Sequence, residues 1–393
     1  MSNRMTRIAV VSLVLLTLVL SACQPAPVET VAPTLGQAQP ANTTAPTKAA
    51  TEAPAATSTM APTNAAPAAA TTVAATEAPA ATATVPAAVC DALPNMPTVA
   101  AGELGSPDQP IVLTFVPSGD SGKITKAGTE IADCLSGMTG LTFEIEVGTT
   151  FAASIEALGA EKAHVGFLNT FSVLLAQAKY DIQPALAVLR KYNTNEVDPD
   201  KAEVGNLLPY YKGQFIARTA DNITTFEDLK GKTFCFVDPN STSGYIIPNI
   251  ILKANGIDPE VDFKAINNAG SHPNVAVAVY KGDCDAGVTF IDVLTDAAAN
   301  LKEKYPDISE KVSAFAVTER IPNDGVQYIK SLKPDIQDAI TASMLAMVAD
   351  PGGNAVLRGL YSINGFAEID PTFYNEFAEV LKAAGVDPVE LVK

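Results

Sequence analysis

Three hydroxyl residues, Ser241, Thr242 and Ser243, stand together in the middle of the chain. A β-rich run ends just before them, and a helical run, Tyr245–Asn255, begins just after them. The start of a helix carries free N–H groups and about half a positive charge, and added hydroxyl donors make a pocket for an oxyanion. Because Ser and Thr are also preferred helix caps, this segment by itself favours capping and anion binding equally.

His272 is the second residue with the chemistry for anion binding. It precedes Pro273 and follows a predicted strand, and a Pro in this position predicts the first turn of a helix. A ring N–H at such a helix start could donate to an oxyanion, and the alternative is a surface capping residue. His164 lies inside a predicted strand, so we interpret it as structural.

Two short motifs suggest enzymes, and both fail. Gly119-Asp-Ser-Gly122 is similar to the nucleophile motif of chymotrypsin-like proteases, but no His precedes Ser121 and Lys123 stands where Gly belongs. As a phosphate-binding P-loop, the same stretch lacks its first Gly and its final Ser or Thr. The sequence therefore predicts a protein that is not an enzyme.

The charge balance excludes some partners. The 393 residues include 43 Asp and Glu but only 26 Lys and Arg, which gives a formal net charge of −17. An acidic chain without a basic stripe argues against nucleic acid, whereas local dipoles can still bind a small anion. With two His and no CxxC or HExxH pattern, the sequence predicts neither a metal centre nor a cofactor.

The N-terminus has the pattern of an export signal. Arg4 and Arg7 precede an apolar run, residues 8–20, that is too short to be first taken as a spanning helix. The run ends in Leu20-Ser-Ala-Cys23, which resembles the bacterial lipobox. We expect residues 1–23 to be a lipoprotein signal peptide and Cys23 to carry a lipid anchor on the outer side of a membrane; the alternative is an ordinary signal peptide.

Residues 24–90 are dominated by Ala, Thr and Pro, with few charges and few large apolar side chains. Such a segment cannot bury enough apolar surface to fold, and repeated Pro favours extended conformations. We predict a disordered tether, and a glycosylated stalk is compatible with the same composition.

The remaining chain predicts an α/β protein with two lobes. Strand-like and helix-like segments alternate through residues 91–212 and again through 213–318, as expected for mainly parallel sheets flanked by helices. The last helix of the second series is predicted over Ile291–Lys304. Helices of residues 319–393 are expected to return to the first lobe. Ligands of open α/β sheets lie beyond the carboxyl ends of the strands, so the predicted site is the cleft between the lobes.

Four cysteines follow the tether: Cys90, Cys134, Cys235 and Cys284. An even number in an exported protein suggests two disulfides. We favour Cys90–Cys134 and Cys235–Cys284, because each bond then stays within one lobe; the alternative is buried free thiols.

Four motifs, in the same order, resemble the phosphonate- and phosphite-binding proteins of ABC transporters. The resemblance covers about residues 108–393 and is carried by Asp238–Pro248, Gly270–His272, Tyr280–Gly287 and Ile321–Asp324. It implies the type II periplasmic-binding-protein fold, a hinged clamp of two lobes. It also implies the ligand contacts: Ser241, Thr242, Ser243 and His272 for the phosphoryl oxygens, and Asp292 and Asp324 for an amine.

The chain departs from the family at two places. Phe151 stands where a Tyr is common, and Asn169-Thr-Phe-Ser-Val173 replaces a frequent Gly-Pro-x-Ser-Tyr stretch. Both changes remove a hydroxyl that would face the ligand. Asn169 and Thr170 could supply replacement donors.

These expectations define a lipid-anchored, monomeric solute-binding protein that delivers a phosphorus oxyanion (phosphonate, phosphite or phosphate) to an ABC permease. One alternative is a clamp for another small anion, such as a sulfonate, an organic acid or a vitamin precursor. A second is a ligand sensor that acts on a histidine kinase. An enzyme that degrades phosphonates has little support, because no residue set suggests catalysis.

Overall fold

Strands and helices alternate along most of the chain, and the strands form two large sheets and a two-stranded ladder. The computed structural model describes residues 86–195 and 197–391. The predicted signal peptide, Cys23 and nearly all of the predicted tether lie outside these residues.

The strands are short, and most of them alternate with helices in sequence. In chain order they are β1 (Ile111–Phe115), β2 (Phe143–Val147), β3 (Val165–Leu168), β4 (Gln183–Lys191), β5 (Leu207–Leu208), β6 (Tyr210–Tyr211), β7 (Gly213–Arg218), β8 (Thr233–Phe236), β9 (Ala265–Asn268), β10 (Ala286–Phe290), β11 (Val312–Val317), β12 (Ile321–Pro322), β13 (Gly325–Tyr328) and β14 (Gly365–Glu368).

The α-helices range from single turns to five turns. They are α1 (Ser121–Thr139), α2 (Phe151–Gly159), α3 (Thr170–Tyr180), α4 (Ile247–Ala254), α5 (Pro259–Asp262), α6 (His272–Lys281), α7 (Leu301–Lys304), α8 (Ile308–Lys311), α9 (Pro334–Ala349), α10 (Pro351–Tyr361), α11 (Asn375–Ala383) and α12 (Pro388–Leu391). A π-helical turn, Thr242–Ile246, leads directly into α4.

Each sheet combines parallel and antiparallel strands. The first has the order β14-β4-β13-β3-β1-β2, with β5 paired to β4, and the second has the order β11-β7-β10-β8-β9. Pairing is parallel within β3-β1-β2 and within β10-β8-β9, as expected, and antiparallel elsewhere. Antiparallel pairs outnumber parallel ones in the first sheet and equal them in the second, so the sheets are mixed and not mainly parallel.

The two lobes are defined by these sheets, and the chain crosses between them twice. It leaves the first lobe at β6 and enters the second at β7, and it returns between β11 and β12. The two crossings pair as a short antiparallel ladder, Tyr211 opposite Ile321 and Tyr210 opposite Pro322. This ladder lies where a hinge between the lobes is required.

Local sequence explains where α1 begins and ends. Asp120 Oδ1 accepts the Lys123 N–H (3.0 Å), which caps the first turn. Gly140 stops the helix at φ 72°, a left-handed conformation that costs little for a residue without Cβ. Between them, Ile124 and Ile131 are buried and, being seven residues apart, lie on the same face of the helix.

Strand β7 shows how one sheet supports two apolar layers. Successive side chains of a strand point to opposite faces. Ile216 accordingly joins the larger apolar cluster, which extends through the first lobe, while Phe215 and Ala217 join a second cluster beneath the other face. Phe215 packs there edge-on against Phe226, with ring centroids 5.0 Å apart.

Two disulfides are present, Cys90–Cys134 and Cys235–Cys284, the pairing favoured from the sequence. The first joins the start of the described chain to α1, and the second joins β8 to the segment before β10. Each therefore links elements of a single lobe.

The predicted helix Ile291–Lys304 is wrong over most of its length. Residues 291–300 form turns, and helix α7 covers only Leu301–Lys304. The turns are held by side-chain contacts such as Asp296 Oδ1 accepting the Ala299 N–H (2.7 Å), a local bond that competes with helix formation. As a result, Asp292 lies on a loop. In the described part of the chain, no helix is long and apolar enough to span a membrane.

Candidate functional site

A cavity of about 370 Å³ lies between the two lobes. Five helical segments begin at its wall, and each follows a strand of a parallel pair: α1, α2 and α3 in the first lobe, and the π-helical turn and α6 in the second. The residues of these starts that line the cavity are Ser118, Gly119, Asp120, Phe151, Asn169, Ser241, Ser243 and His272. Each helix start carries a partial positive charge. These starts together favour an anion in the cavity, although the net charge of the protein is negative.

His272 is held as a neutral donor. Its Nδ1 accepts the Phe290 N–H (3.0 Å), so the ring proton of the neutral form resides on Nε2. Nε2 lies 3.5 Å from Ser241 Oγ at the cavity wall. Burial, helped by the charge of Arg190, lowers the pKa of His272 to about 3, so the ring stays uncharged at neutral pH.

Ser241 and Ser243 differ in how their hydroxyls are used. Ser241 Oγ caps the π-helical turn by accepting the Gly244 N–H (3.2 Å). Ser243 Oγ is buried near the Tyr211 hydroxyl, but no described group makes a hydrogen bond of normal geometry to it. Burial of a hydroxyl without a hydrogen bond is unfavourable for folding. The Ser243 hydroxyl is therefore available to a ligand oxygen.

Thr242 lies behind the cavity wall and connects the lobes. Its Oγ1 accepts both the Asn169 side-chain N–H and the Phe171 backbone N–H, each at 2.9 Å. Asn169 Nδ2 also donates to Asn240 O (2.9 Å) across the same gap. The structure therefore has closed lobes, and it uses Thr242 in the closure; a direct contact of Thr242 with a ligand stays a prediction.

Of the other first-lobe residues predicted for the site, Phe151 and Asn169 line the cavity and Thr170 does not. Phe151 lines the cavity with its ring, and Asn169 lines it with Oδ1 buried and unpartnered among the described residues. Thr170 lies off the wall, because its hydroxyl donates to Pro322 O (2.6 Å) and connects α3 to the hinge ladder. Of the two proposed replacement donors only Asn169 lies at the wall, and both of its side-chain N–H groups are already used, by Thr242 Oγ1 and Asn240 O.

Asp292 lines the cavity from the loop that follows β10. Burial raises its pKa to about 7, and the nearby charge of Asp296 adds to this, while the hydrogen bond from Asn193 Nδ2 (3.3 Å) and the charge of Arg190 oppose it. The carboxyl is therefore poised to change charge near neutral pH.

The raised pKa of Asp292 predicts that the free energy of unfolding depends on pH. The unfolded carboxyl has a pKa near 3.8, so between about pH 4 and 7 the folded state holds a proton that the unfolded state has lost. Stability should fall as pH rises through this range. In Asp292→Asn the fall should be smaller, so urea unfolding at pH 8 should find the variant more stable by about 1–3 kcal/mol, with little difference at pH 4. A constant difference at both pH values would contradict the assignment.

Asp324 lines the cavity from the segment between β12 and β13, and it forms an ion pair with Arg190. Arg190 Nη2 donates to Asp324 Oδ2 (3.0 Å), and the guanidinium also lies over the Tyr211 ring at 5.4 Å. Burial raises the pKa of Asp324, and the neighbouring Arg190 opposes that shift. No motif in the sequence points to Arg190, and the available signal was its place near the end of a strand.

Three tyrosines line the cavity from positions outside the motifs of the family. Tyr210 and Tyr211 reach the cavity from the first crossing between lobes, and Tyr361 reaches it from the end of α10. Burial raises the pKa of Tyr211 and Tyr361, so both stay protonated. The Tyr361 hydroxyl donates to Val116 O (2.6 Å). None of the three is near the expected positions in sequence, so a motif comparison could not find them.

The family model for the periplasmic substrate-binding proteins of phosphonate ABC transporters matches residues 113–374, more than half of the chain. The chain belongs to this family. The match includes nearly all of both large sheets and every residue predicted to contact the ligand.

Two curated relatives support the assignment to the phosphonate-binding family. A phosphate-import protein, PhnD, of Mycolicibacterium smegmatis is 30% identical over 194 residues, which cover 47% of this chain and 56% of that protein. A phosphonates-binding periplasmic protein of Escherichia coli is 29% identical over 159 residues, 39% of this chain and 45% of that protein. The chain thus spans about half the length of the curated relatives that it matches.

Solved structures of family members share the fold. A binding protein component of an ABC phosphonate transporter from Pseudomonas aeruginosa matches with a TM-score of 0.60 and 20% identity, over 69% of this chain and 85% of that one. PhnD1 of Prochlorococcus marinus, solved with methylphosphonate, matches with a TM-score of 0.58 and 15% identity, over 70% of this chain and 98% of that one. The two-lobed α/β clamp is therefore shared with these family members.

Proposed function

We propose that this protein captures a small phosphorus oxyanion (a phosphonate, phosphite or phosphate) between its lobes and delivers it to an ABC permease. One observation carries the proposal: five helical segments begin around one cavity, with a neutral imidazole and a buried, unpartnered Ser hydroxyl among them. Oriented N–H dipoles with neutral donors suit a tetrahedral anion.

The proposed contacts divide between the lobes. From the second lobe, Ser241, Ser243 and His272 donate to the phosphoryl oxygens, while Thr242 holds the closed state and offers its backbone N–H. From the first lobe, Asn169 and Phe151 form part of the wall, and Asn169 would donate to the ligand only by giving up one of its bonds to the second lobe. Thr170 supports the hinge. Asp292 and Asp324 border the remainder of the ligand.

Delivery requires that the closed state be recognised by the permease. Several hydrogen bonds already join the lobes, such as the His272 N–H to Ser118 O (3.2 Å) and Lys123 Nζ to Ala298 O (3.1 Å). A ligand that adds contacts to both lobes would favour this closed form further. We propose that the protein works as a monomer, outside the cell membrane, held by a lipid on Cys23.

Calorimetric titration tests the proposal. We expect the purified protein to bind at least one of phosphate, phosphite, methylphosphonate and 2-aminoethylphosphonate with a Kd in the micromolar range or below, because several charge-assisted hydrogen bonds form in a closed cavity. Phosphorus NMR of the same mixture should show the compound unchanged. Binding of taurine alone would contradict the ligand class, and turnover would contradict the assignment as a non-enzyme.

A further inference from the structure

Arg190 brings a full positive charge to the cavity wall, where the basic residues Lys123, Lys191 and Arg358 also lie. It lies near the end of β4, lines the cavity, and its side chain is only 17% exposed. The charge acts across the cavity, since it adds to the lowering of the His272 pKa and opposes the rise of the Asp292 pKa. A guanidinium in this place must influence which ligand is accepted.

The guanidinium is fixed in place but only partly used. The ion pair with Asp324 and the contact with the Tyr211 ring hold its plane. Its hydrogen bond to a described side chain engages Nη2, and Nε is buried without a partner in the described chain. Since a guanidinium has five N–H donors, Arg190 retains capacity for a second acceptor.

The same ion pair removes a partner that an ammonium group would need. Arg190 engages Oδ2 and balances the charge of Asp324, so an ammonium that approached the unpartnered Oδ1 would be repelled by the guanidinium. Burial raises the pKa of Asp292 to about 7, so this carboxyl takes up a proton more readily than an exposed Asp does. When protonated, its hydroxyl can donate to an acid group of a ligand.

The cavity also has room for more than a tetrahedral oxyanion. Its volume, about 370 Å³, is within the range of pockets that hold small organic molecules, roughly 300–1,000 Å³. Apolar side chains of Ile124, Phe290 and Leu360 contribute to its wall. An organic substituent on phosphorus would displace water from these surfaces.

We infer that the ligand is a phosphonate whose organic part carries a second acidic group, which Arg190 receives while the helix starts hold the phosphoryl group. The inference rests on the proposed function and refines it. A carboxylate would take the unused edge of the guanidinium in a charge-assisted pair. Aminoalkylphosphonates would be disfavoured.

Titration with four phosphonates tests this ligand class. Phosphonoacetate or 3-phosphonopropionate should bind at least about tenfold more tightly than methylphosphonate, and 2-aminoethylphosphonate should bind more weakly than methylphosphonate. In Arg190→Gln the preference for the diacid over methylphosphonate should fall to within about threefold. Arg218→Gln is the matched control, because Arg218 is also an ion-paired, largely buried arginine (22% exposed), but it lies outside the cavity wall. It should keep the wild-type preference.

Three results would overturn the inference. The first is tighter binding of 2-aminoethylphosphonate than of methylphosphonate by the wild type. The second is an equal loss of both ligands in Arg190→Gln, which would assign Arg190 to the phosphoryl group. The third is a diacid that binds no better than methylphosphonate. In each case, binding of methylphosphonate leaves the proposed function in place, whereas failure of every phosphorus compound to bind would overturn the proposed function itself.

Discussion

Replacement of His272 by Asn should weaken binding of the phosphorus ligand by roughly 10- to 150-fold. The Asn side-chain oxygen can still accept the Phe290 N–H that Nδ1 accepts in the wild type, so the start of α6 should stay in place. The variant lacks the Nε2 donor at the cavity wall. Loss of one hydrogen bond to a charged oxyanion costs about 1.5–3 kcal/mol, and calorimetric Kd values measure it.

His164 provides a matched control within the same chain. Its Nδ1 also accepts a backbone N–H, that of Val112, at 3.0 Å, and burial also lowers its pKa. It lies outside the cavity wall. His164→Asn should therefore bind ligand as the wild type does. Equal weakening in both variants would mean that His272 acts only through the stability of the fold.

Replacement of Lys212 by Met should be the most destabilising single change, by about 3–5 kcal/mol. Lys212 Nζ lies 2.9 Å from Asp198 Oδ1 and 2.8 Å from Asp200 Oδ2, and the Lys212 and Asp198 side chains are 3% and 0% exposed. Burial alone would raise the pKa of Asp198, but hydrogen bonds from Tyr192, the Asp200 N–H and Lys212 keep it low. Without Lys212, a buried carboxylate loses its counter-charge. Urea unfolding measures the loss.

Two further variants separate this cause from a general effect of removing a lysine. Lys212→Met combined with Asp198→Asn removes both buried charges, and it should recover a large part of the lost stability. Lys230→Met breaks a surface pair with Glu227 and should cost no more than about 1 kcal/mol. A surface variant as unstable as Lys212→Met would contradict the role of burial.

Local features of the sequence were sufficient to predict the α/β class and the ends of individual elements such as α1. Helix α1 begins and ends where its Asp cap and its Gly require, and the alternation on β7 separates two apolar layers. The helix predicted over Ile291–Lys304 failed because side-chain bonds to backbone N–H groups compete with helical ones, and periodicity of apolar residues does not reveal them.

Sequence by itself determined the chain's acidic charge, its α/β class, its family resemblance and the start of the helix at His272, because these depend on composition or on neighbours a few residues apart. Only the tertiary structure decided that Arg190 pairs with Asp324, 134 residues away, and that Thr242 joins Asn169, 73 residues away. The charge and the free donors of a cleft are set by such distant pairs, since they depend on which side chains folding brings together. The choice of ligand is for that reason a property of the closed lobes and not of any one motif.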